Sequence, residues 1–451
     1  MARNKPLTKP SLFSDCKSFF LAALTATLLV CAIWSLTKPW TKANSSSSTL
    51  NSSTSNDPNF CNNQAGQAFN RVHDPPETTF YDDPQLSYTL GTPIENWDRK
   101  RKLWLKLHPT FSGRAENRIL IVTGSQPAPC KNPIGDHLLL RCFKNKADYS
   151  RIHGYDIFYN TACLDPKMCN VWAKVALVRA AMVAHPEAEW IWWMDSDAIF
   201  TDMYFKVPLQ KYNRYNLIVP GWPDTLYQNK SWVSVNTGSF LMRNCQWSLD
   251  FLDVWASMSP RSPDYNFWGE TLMATLSDKT FPGADEQSSL VYILLKGARK
   301  WKDAIHLETE YDLSSYWVGI IGKINEYSRK YNEIQRNVPI LRRRRAEAVS
   351  QFYGSILEQN LAGGGDSKWP FITHFTGCQP CNGNHDPSYV GNSCWIGMER
   401  ALNFADNQVL QNYGFEHGDL NNGSFVSPLR FAFRLDDNEF GKIRMRNRTG
   451  R

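Results

Sequence analysis

Asp195 and Asp197, separated by one serine, close the apolar run "WIWWM" that begins at Trp190. In a strand, residues i and i+2 point the same way, so both carboxylates can converge just beyond the strand's end. Paired carboxylates suit a hard divalent cation such as magnesium or manganese, and such cations commonly bridge the phosphates of a nucleotide. Each aspartate also has an ordinary alternative, capping the turn or helix that follows. A second candidate ligand lies far along the chain in "WPFITHFTGCQPC", where His374 closes another short apolar run. A neutral imidazole can complete a carboxylate-rich manganese site, or it can be a core histidine satisfied internally.

The elements around these residues decide whether they can meet. From Arg118 the pattern alternates between strand-like and helix-like segments. "RILIVTG" and "YDIFYN" read as strands on either side of the helical "DHLLLRCFKNKADYSRIHG". "VWAKVALVRAAMVAH" carries apolar residues at helical spacing, stops before Pro186 and leads into "WIWWM". Later strands are predicted at "NLIVP" and "GSFLMRN", with helices at "QWSLDFLDVWASM" and "EQSSLVYILLKGA". The alternation predicts an α/β fold, Rossmann-like, with a mainly parallel sheet flanked by helices. Ligands of such sheets gather at the carboxyl ends of the strands, where Asp195 and Asp197 stand. Residues 322–363, with the run Arg342 to Arg345, read as a charged helical stretch with a solvated face.

Composition narrows the class. The chain has 451 residues, 42% hydrophobic and 13% aromatic, enough for one large core or two ordinary ones. The net charge of +7 is partly local, in Arg3, Lys5, Lys9 and Lys17 and in Arg342 to Arg345. No basic stripe interleaved with aromatics argues for nucleic acid. Phe19 to Leu36 is eighteen residues without a charge, near the lower limit for a helix that crosses a bilayer. Basic residues before it, and no clean small-residue cleavage site after it, favour a transmembrane signal anchor at 19–36 over a cleaved peptide. Residues 1–18 would then be a cytoplasmic tail, residues 37–73 a Ser/Asn-rich stem, and the rest lumenal. Nine cysteines follow the anchor; in an oxidising lumen some should pair, and the odd number leaves at least one unpaired in a monomer. Cys378 and Cys381 are spaced like a redox or zinc pair, but without a second pair a structural disulfide role reads better. Sequons at Asn44, Asn51, Asn229, Asn422 and Asn447 become candidate glycosylation sites in that compartment. Residues 414–451 are polar and read as a flexible tail.

The blocks "ILIVTGSQP", "NPIGDHLLLRCFKNKADY", "VWAKVALVRAAMVAHPEAEWIWWMDSDAIFTDM", "NTGSFLMRNCQWSLDFLDVWASM" and "PFITHFTGCQPCNG" together resemble one family. It is the plant Golgi family of galactomannan galactosyltransferases and xyloglucan xylosyltransferases. The similarity runs from about Asp74 to Tyr413, which makes 74–413 the catalytic domain. The resemblance implies a GT-A fold and retaining transfer from a UDP-sugar, with manganese as cofactor. Carried onto this chain, it implies Gly124 and Ser125 against the nucleotide and Lys174 beside the donor. It places Asp195, Ser196, Asp197 and His374 at the metal, and Asn236, Gly238 and Gly377 along the donor cleft. Asp285-Glu286-Gln287 stands where the family commonly has Asp-Asp-Gln; these side chains would bind donor hydroxyls and orient the acceptor. The extra methylene of Glu286 moves its carboxylate, and small misplacements weaken positioning. Each residue has a plainer reading: a β-to-α turn at Gly124 and Ser125, a snorkelling lysine at 174, a bulge at Asn236 and Gly238, a helix cap at Asp285 and Glu286.

Gln379 occupies a place where xylosyl members have lysine, and "CWIGMERALNFADNQVL" likewise resembles the galactosyl branch. The implied activity is an α-1,6-galactosyltransferase moving galactose from UDP-galactose to O6 of mannose in β-1,4-mannan, a step of hemicellulose and cell-wall synthesis. The implied setting is the Golgi membrane, single-pass type II, as a homo-oligomer or beside polysaccharide synthases. Two rivals stay open: a xyloglucan 6-α-xylosyltransferase on β-1,4-glucan, and a non-catalytic Golgi subunit of such an enzyme.

Overall fold

Short apolar runs bounded by turn residues fold into strands in this chain, whose structure is a computed structural model describing residues 82–112, 118–337 and 370–429. All of these belong to one unit, Arg71–Arg451. The segments 1–18, 19–36 and 37–73, Asn44, Asn51, Asn447 and the run Arg342 to Arg345 lie outside the described residues. Among the described residues no helix is long and apolar enough to cross a membrane.

The main sheet holds β1 (Ile119–Gly124), β2 (Asp156–Asn160), β3 (Trp190–Met194), β5 (Leu217–Pro220), β6 (Ser239–Arg243) and β7 (Ile305–Glu308), in the order β2-β1-β3-β6-β5-β7. β6 runs antiparallel to both neighbours and the other pairings are parallel, so five of the six strands share a direction. Both faces are covered. On β3, Ile191 and Trp193 pack into one cluster, and Trp190, Trp192 and Met194 into the cluster behind. That two-sided burial is why the segment reads as a continuous apolar run rather than an alternating one. Each buried indole removes roughly 150–250 Å² from water, a gross gain of about 4–6 kcal/mol. The strand that carries the aspartates is therefore anchored on both sides.

One face takes helices α3 (Ala173–Ala184), α4 (Gln246–Ala256) and α5 (Glu286–Lys296); the other takes α2 (Gly135–His153) and part of α7 (Ser393–Leu410). α2 and α7 are tied by Arg141 donating to Asn403 Oδ1 (2.6 Å) and by the Lys144–Asp406 ion pair (2.7 Å). The lead-in helix α1 (Trp97–Leu107) docks on the domain through buried Trp97, whose indole N–H donates to Asn244 Oδ1 at 2.7 Å. α6 (Ile324–Asn337) follows the strand β8 (Ser315–Tyr316). A second, small sheet has the order β4-β9-β8, with β4 (Ala198–Phe200) antiparallel and β8 parallel to β9 (Ile372–His374).

Among the described residues, three disulfides join Cys130 to Cys381, Cys163 to Cys169 and Cys378 to Cys394, while Cys142 and Cys245 are free. Cys378 and Cys381 thus serve structure, each with a distant partner instead of each other. Asn229 and Asn422 are exposed. The tail does not begin loose at residue 414. His417 is buried, exchanging backbone hydrogen bonds with the Asn407 side chain (2.6 and 3.1 Å), and Leu420 packs with α7 residues in the core. The packed part of the chain extends past residue 414, because "GFEHGDL" supplies a histidine and a leucine that the polar average of the segment conceals.

Candidate active site

Asp195 and Asp197 are not strand neighbours. β3 ends at Met194, the Ala198 N–H donates to the Asp195 carbonyl (3.2 Å), and β4 begins at Ala198. The carboxylates flank a tight turn at which the chain leaves one sheet for the other. The same crossing brings the histidine. β4 pairs with β9 so that Ala198 faces His374, and the Phe375 N–H donates to the Asp197 carbonyl at 3.2 Å. One ligand atom from each of Asp195, Asp197 and His374 lies within 4.8 Å of the others. His374 Nε2 is 3.7 Å from Asp195 Oδ2 and 3.4 Å from Asp197 Oδ1.

The imidazole is held from behind. Its Nδ1 lies 3.1 Å from Asn236 Oδ1 and 3.2 Å from Ser314 Oγ, and Asn236 Oδ1 also accepts from Ser314 and from the Gly238 N–H. An Nδ1 proton donated to Asn236 leaves Nε2 with its lone pair toward the carboxylates, the arrangement a metal-ligating histidine needs. Gly238 is required sterically: a Cβ there would stand 2.0 Å from His374 Cε1. Asn236 and Gly238 therefore orient the histidine. Burial would lower the His374 pKa, but the carboxylates of Asp197 and Asp195 outweigh it and raise the value. Hard oxygen donors with one imidazole fit a divalent cation of the magnesium or manganese kind.

Lys174 is no surface residue. Buried at the start of α3, its ammonium reaches Glu286 Oε1 at 2.7 Å, Asp195 Oδ1 at 3.2 Å and the Thr237 carbonyl at 3.2 Å. Burial would lower its pKa, but Asp195 and Glu286 hold it above the ordinary lysine value. Glu286 is buried too, and that burial raises its carboxyl despite Lys174. Burial likewise pushes Asp195 up, but Lys174, His374 and the Trp193 indole N–H, 2.7 Å from Oδ1, bring it below the ordinary value.

The acidic pair divides its labour. Asp285 caps α5, its Oδ1 accepting from the Ser288 N–H (2.8 Å), while its Oδ2 accepts from the Ser288 hydroxyl and pairs with Lys279 at 2.8 Å. Both its oxygens are engaged away from the Lys174 bridge, so the cap reading holds for Asp285 and fails for Glu286. Gln287 spans the loop before β6, donating to the Trp232 carbonyl (3.1 Å) and accepting from the Thr237 N–H (3.3 Å).

Gly124 and Ser125 end β1. A Cβ at 124 would meet the Asn160 carbonyl at 2.2 Å, and the Ser125 hydroxyl bonds the Tyr159 hydroxyl at 2.8 Å. A cleft of about 330 Å³ opens there, lined by Ser125, Gln126, Asp136, Phe143 and Tyr159. Gly377 (φ +82°) turns the chain after β9, and a side chain there would press on Tyr389 at 3.1 Å. A larger groove of about 700 Å³, between α6 and the C-terminal segment, contains none of these residues.

Two positioning groups escaped the sequence reading. Trp193 is the first. Lys146, fully buried on α2, is the second: its ammonium donates to the carbonyls of Ser196 (3.1 Å) and Ala198 (2.7 Å), bracing the turn from beneath. Burial lowers its pKa against the pull of Cys142, Asp197 and Asp195. "FKNKADY" shows a lysine on a polar helix face, with no signal that the turn docks over it.

Similarity to known proteins agrees with this geometry. The chain is 51% identical over 438 residues to galactomannan galactosyltransferase 1 of Cyamopsis tetragonoloba, covering 96% of this chain and 98% of the relative. It is 54% identical to glycosyltransferase 6 of Arabidopsis thaliana over 80% of this chain and 84% of that one. It is 45% identical to the Arabidopsis probable xyloglucan 6-xylosyltransferase 3, over 81% and 74%. Among solved structures, a glycosyltransferase involved in glycosylating the major capsid of PBCV-1 overlaps at TM-score 0.34 and 12% identity, over 57% of this chain and 94% of that one. An overlap that slight carries no weight beside the sequence matches. The family model described as galactosyl transferase GMA12/MNN10 matches residues 115–385, and the chain belongs to that family of glycosyltransferases.

Proposed function

We propose that this chain is a retaining α-1,6-galactosyltransferase that moves galactose from UDP-galactose to O6 of mannose in β-1,4-mannan. The observation that carries the reading is the convergence of Asp195, Asp197 and His374 beside a buried, charged Lys174, in a chain half identical to a galactomannan galactosyltransferase. A divalent cation, manganese by preference, would be held by Asp195, Asp197 and His374 and would neutralise the UDP diphosphate as it departs. Lys174 keeps a positive charge beside Asp195 throughout, because two carboxylates stabilise it. Glu286 acts through Lys174, fixing where that charge sits. Gln287 and Asn236 hold the loop that carries Gly238 and hence the His374 ring. Glu286 Oε1 is engaged by Lys174 and Thr237 (2.7 and 3.0 Å), which supports a positioning role for this carboxylate. Acceptor O6 attacks on the face the diphosphate leaves, and its proton passes to the departing phosphate. Donor and acceptor are held by the chain; electrostatics and proximity supply the rate. The catalytic domain would lie in the Golgi lumen behind the anchor at 19–36.

The test supplies full-length protein and Mn²⁺ with UDP-galactose or UDP-xylose and with β-1,4-mannan or β-1,4-glucan oligosaccharides. Galactose on mannan is the expected product. Xylose on glucan would move the protein to the activity named in the 45% identical relative. UDP binding without any transfer would make it a subunit and refute the proposal.

A further inference from the structure

Tyr316 is 55% exposed, yet its backbone pairs with that of the buried His374. β8 and β9 are parallel with Tyr316 in register with His374, so the two side chains leave the small sheet on the same face. Ser314, two residues earlier, shares that face and touches His374 Nδ1 at 3.2 Å, which confirms the alternation. Tyr316 and His374 are therefore backbone-paired neighbours on one face of the small sheet.

The ring is also held in place. Its hydroxyl bonds that of Tyr389 at 2.8 Å, and Tyr389 donates to the Thr376 carbonyl at 2.7 Å. Tyr389 meets Trp317 edge-on (4.9 Å, 80°), and Trp317 stacks on Phe375 (5.3 Å, 21°), the residue after His374. Gly377 leaves room for this packing, since a Cβ there would come within 3.1 Å of the Tyr389 ring. An exposed tyrosine, tied by its hydroxyl to a partly buried one that is backed by a buried indole, resembles neither core nor loose surface.

We propose that Tyr316, braced by Tyr389, is a stacking subsite for the acceptor, receiving the apolar C–H face of one pyranose of a neutral β-1,4-linked polysaccharide. Such a sugar face meets a ring's negative π-surface favourably, and the fixed ring loses little entropy on binding. The inference rests on the transferase reading and deepens it by separating acceptor from donor contacts.

The test uses the full-length chain with Mn²⁺, measuring binding of a β-1,4-mannan hexasaccharide by saturation-transfer NMR, UDP affinity, and the acceptor KM. Tyr316→Ala should weaken hexasaccharide binding and raise acceptor KM by about tenfold, roughly 1.4 kcal/mol. Its UDP affinity and its donor hydrolysis in the absence of acceptor should stay as in the wild type. Tyr316→Phe, which keeps the ring, should retain most of the binding. Unchanged hexasaccharide binding in Tyr316→Ala would overturn the proposal, as would an equal loss of UDP and sugar affinity. Wild-type protein that binds the hexasaccharide through Tyr316 but transfers no sugar would leave the subsite standing and refute the transferase reading alone.

Discussion

Gly238→Ala is the sharpest probe of the candidate metal site, because the three atoms nearest the added methyl all belong to His374. It would sit 2.0 Å from Cε1 and 2.5 Å from Nδ1. Non-bonded carbon atoms rest at about 3.5 Å or more, so the imidazole must retreat by about 1.5 Å. It cannot swing aside cheaply: the ring is buried and pinned through Nδ1 by Asn236 and Ser314. Metal sites tolerate ligand displacements of only about 0.2 Å, so His374 should drop out of the ligand set while both aspartates remain. Divalent-cation affinity should fall by about 10- to 100-fold. The assay is a Mn²⁺ titration of full-length protein followed by electron paramagnetic resonance of the free ion, with thermal unfolding as the folding control. His374→Gly removes the obstructing ring, so adding Gly238→Ala in that background should cost nothing further. Wild-type Mn²⁺ affinity in the single variant, or strictly additive losses in the double, would refute the steric argument.

Lys174→Met leaves Asp195 and Glu286 buried without their counter-charge and should destabilise the fold by about 3–5 kcal/mol in urea unfolding. Combining it with Glu286→Gln should recover part of that loss but no transfer activity. Lys146→Met strands the carbonyls of Ser196 and Ala198, so it should cost about 1–3 kcal/mol and weaken Mn²⁺ binding, read in the same titration. Glu308 provides the pH prediction. Burial opposes its ionisation, but His306, Tyr212, the Glu310 N–H and Lys211 hold its carboxyl at about 2, against an ordinary 4.5. A depressed folded-state value stabilises fully above about pH 4.5, and the contribution of about 3 kcal/mol disappears as the pH falls toward 2. Denaturant melts at pH 6 and pH 3 should show about 2 kcal/mol of that loss in the wild type and a flatter response in Glu308→Gln.

The strands and helices predicted from apolar runs recur within a few residues, as β3 at Trp190–Met194 and α4 at Gln246–Ala256 show. Those segments are long or strongly patterned, so local pattern and tertiary burial agree. Strand direction was not legible. β6 opposes its neighbours, yet "GSFLMRN" looks like any buried strand, because a side-chain pattern is the same read in either direction. The small sheet was missed as a unit since β8 and β9 have two and three residues, too few for any period. At the site, residue types were legible and their partners were not. Glu286 and Asp285 are adjacent in sequence, yet a cap residue points back along its helix and the next residue turns inward to Lys174. Lys146 shows the same limit, since only the docking of the turn over α2 makes its burial necessary.

The pairing of β4 with β9 also sets an order of events during synthesis. Asp195 and Asp197 are placed by β3, β4 and β6, all complete by Arg243, whereas His374 comes from a strand translated much later. Closing that long loop is the slow, entropically expensive step of building the site. A growing chain therefore passes through a long interval with two aspartates, a buried lysine and no third ligand, and is unable to hold a cation tightly. The third candidate ligand arrives only when β9, in the last fifth of the polypeptide, docks on β4. A chain ending before residue 370 would carry all six strands of the main sheet but lack His374, so it should hold a divalent cation more weakly than the full chain.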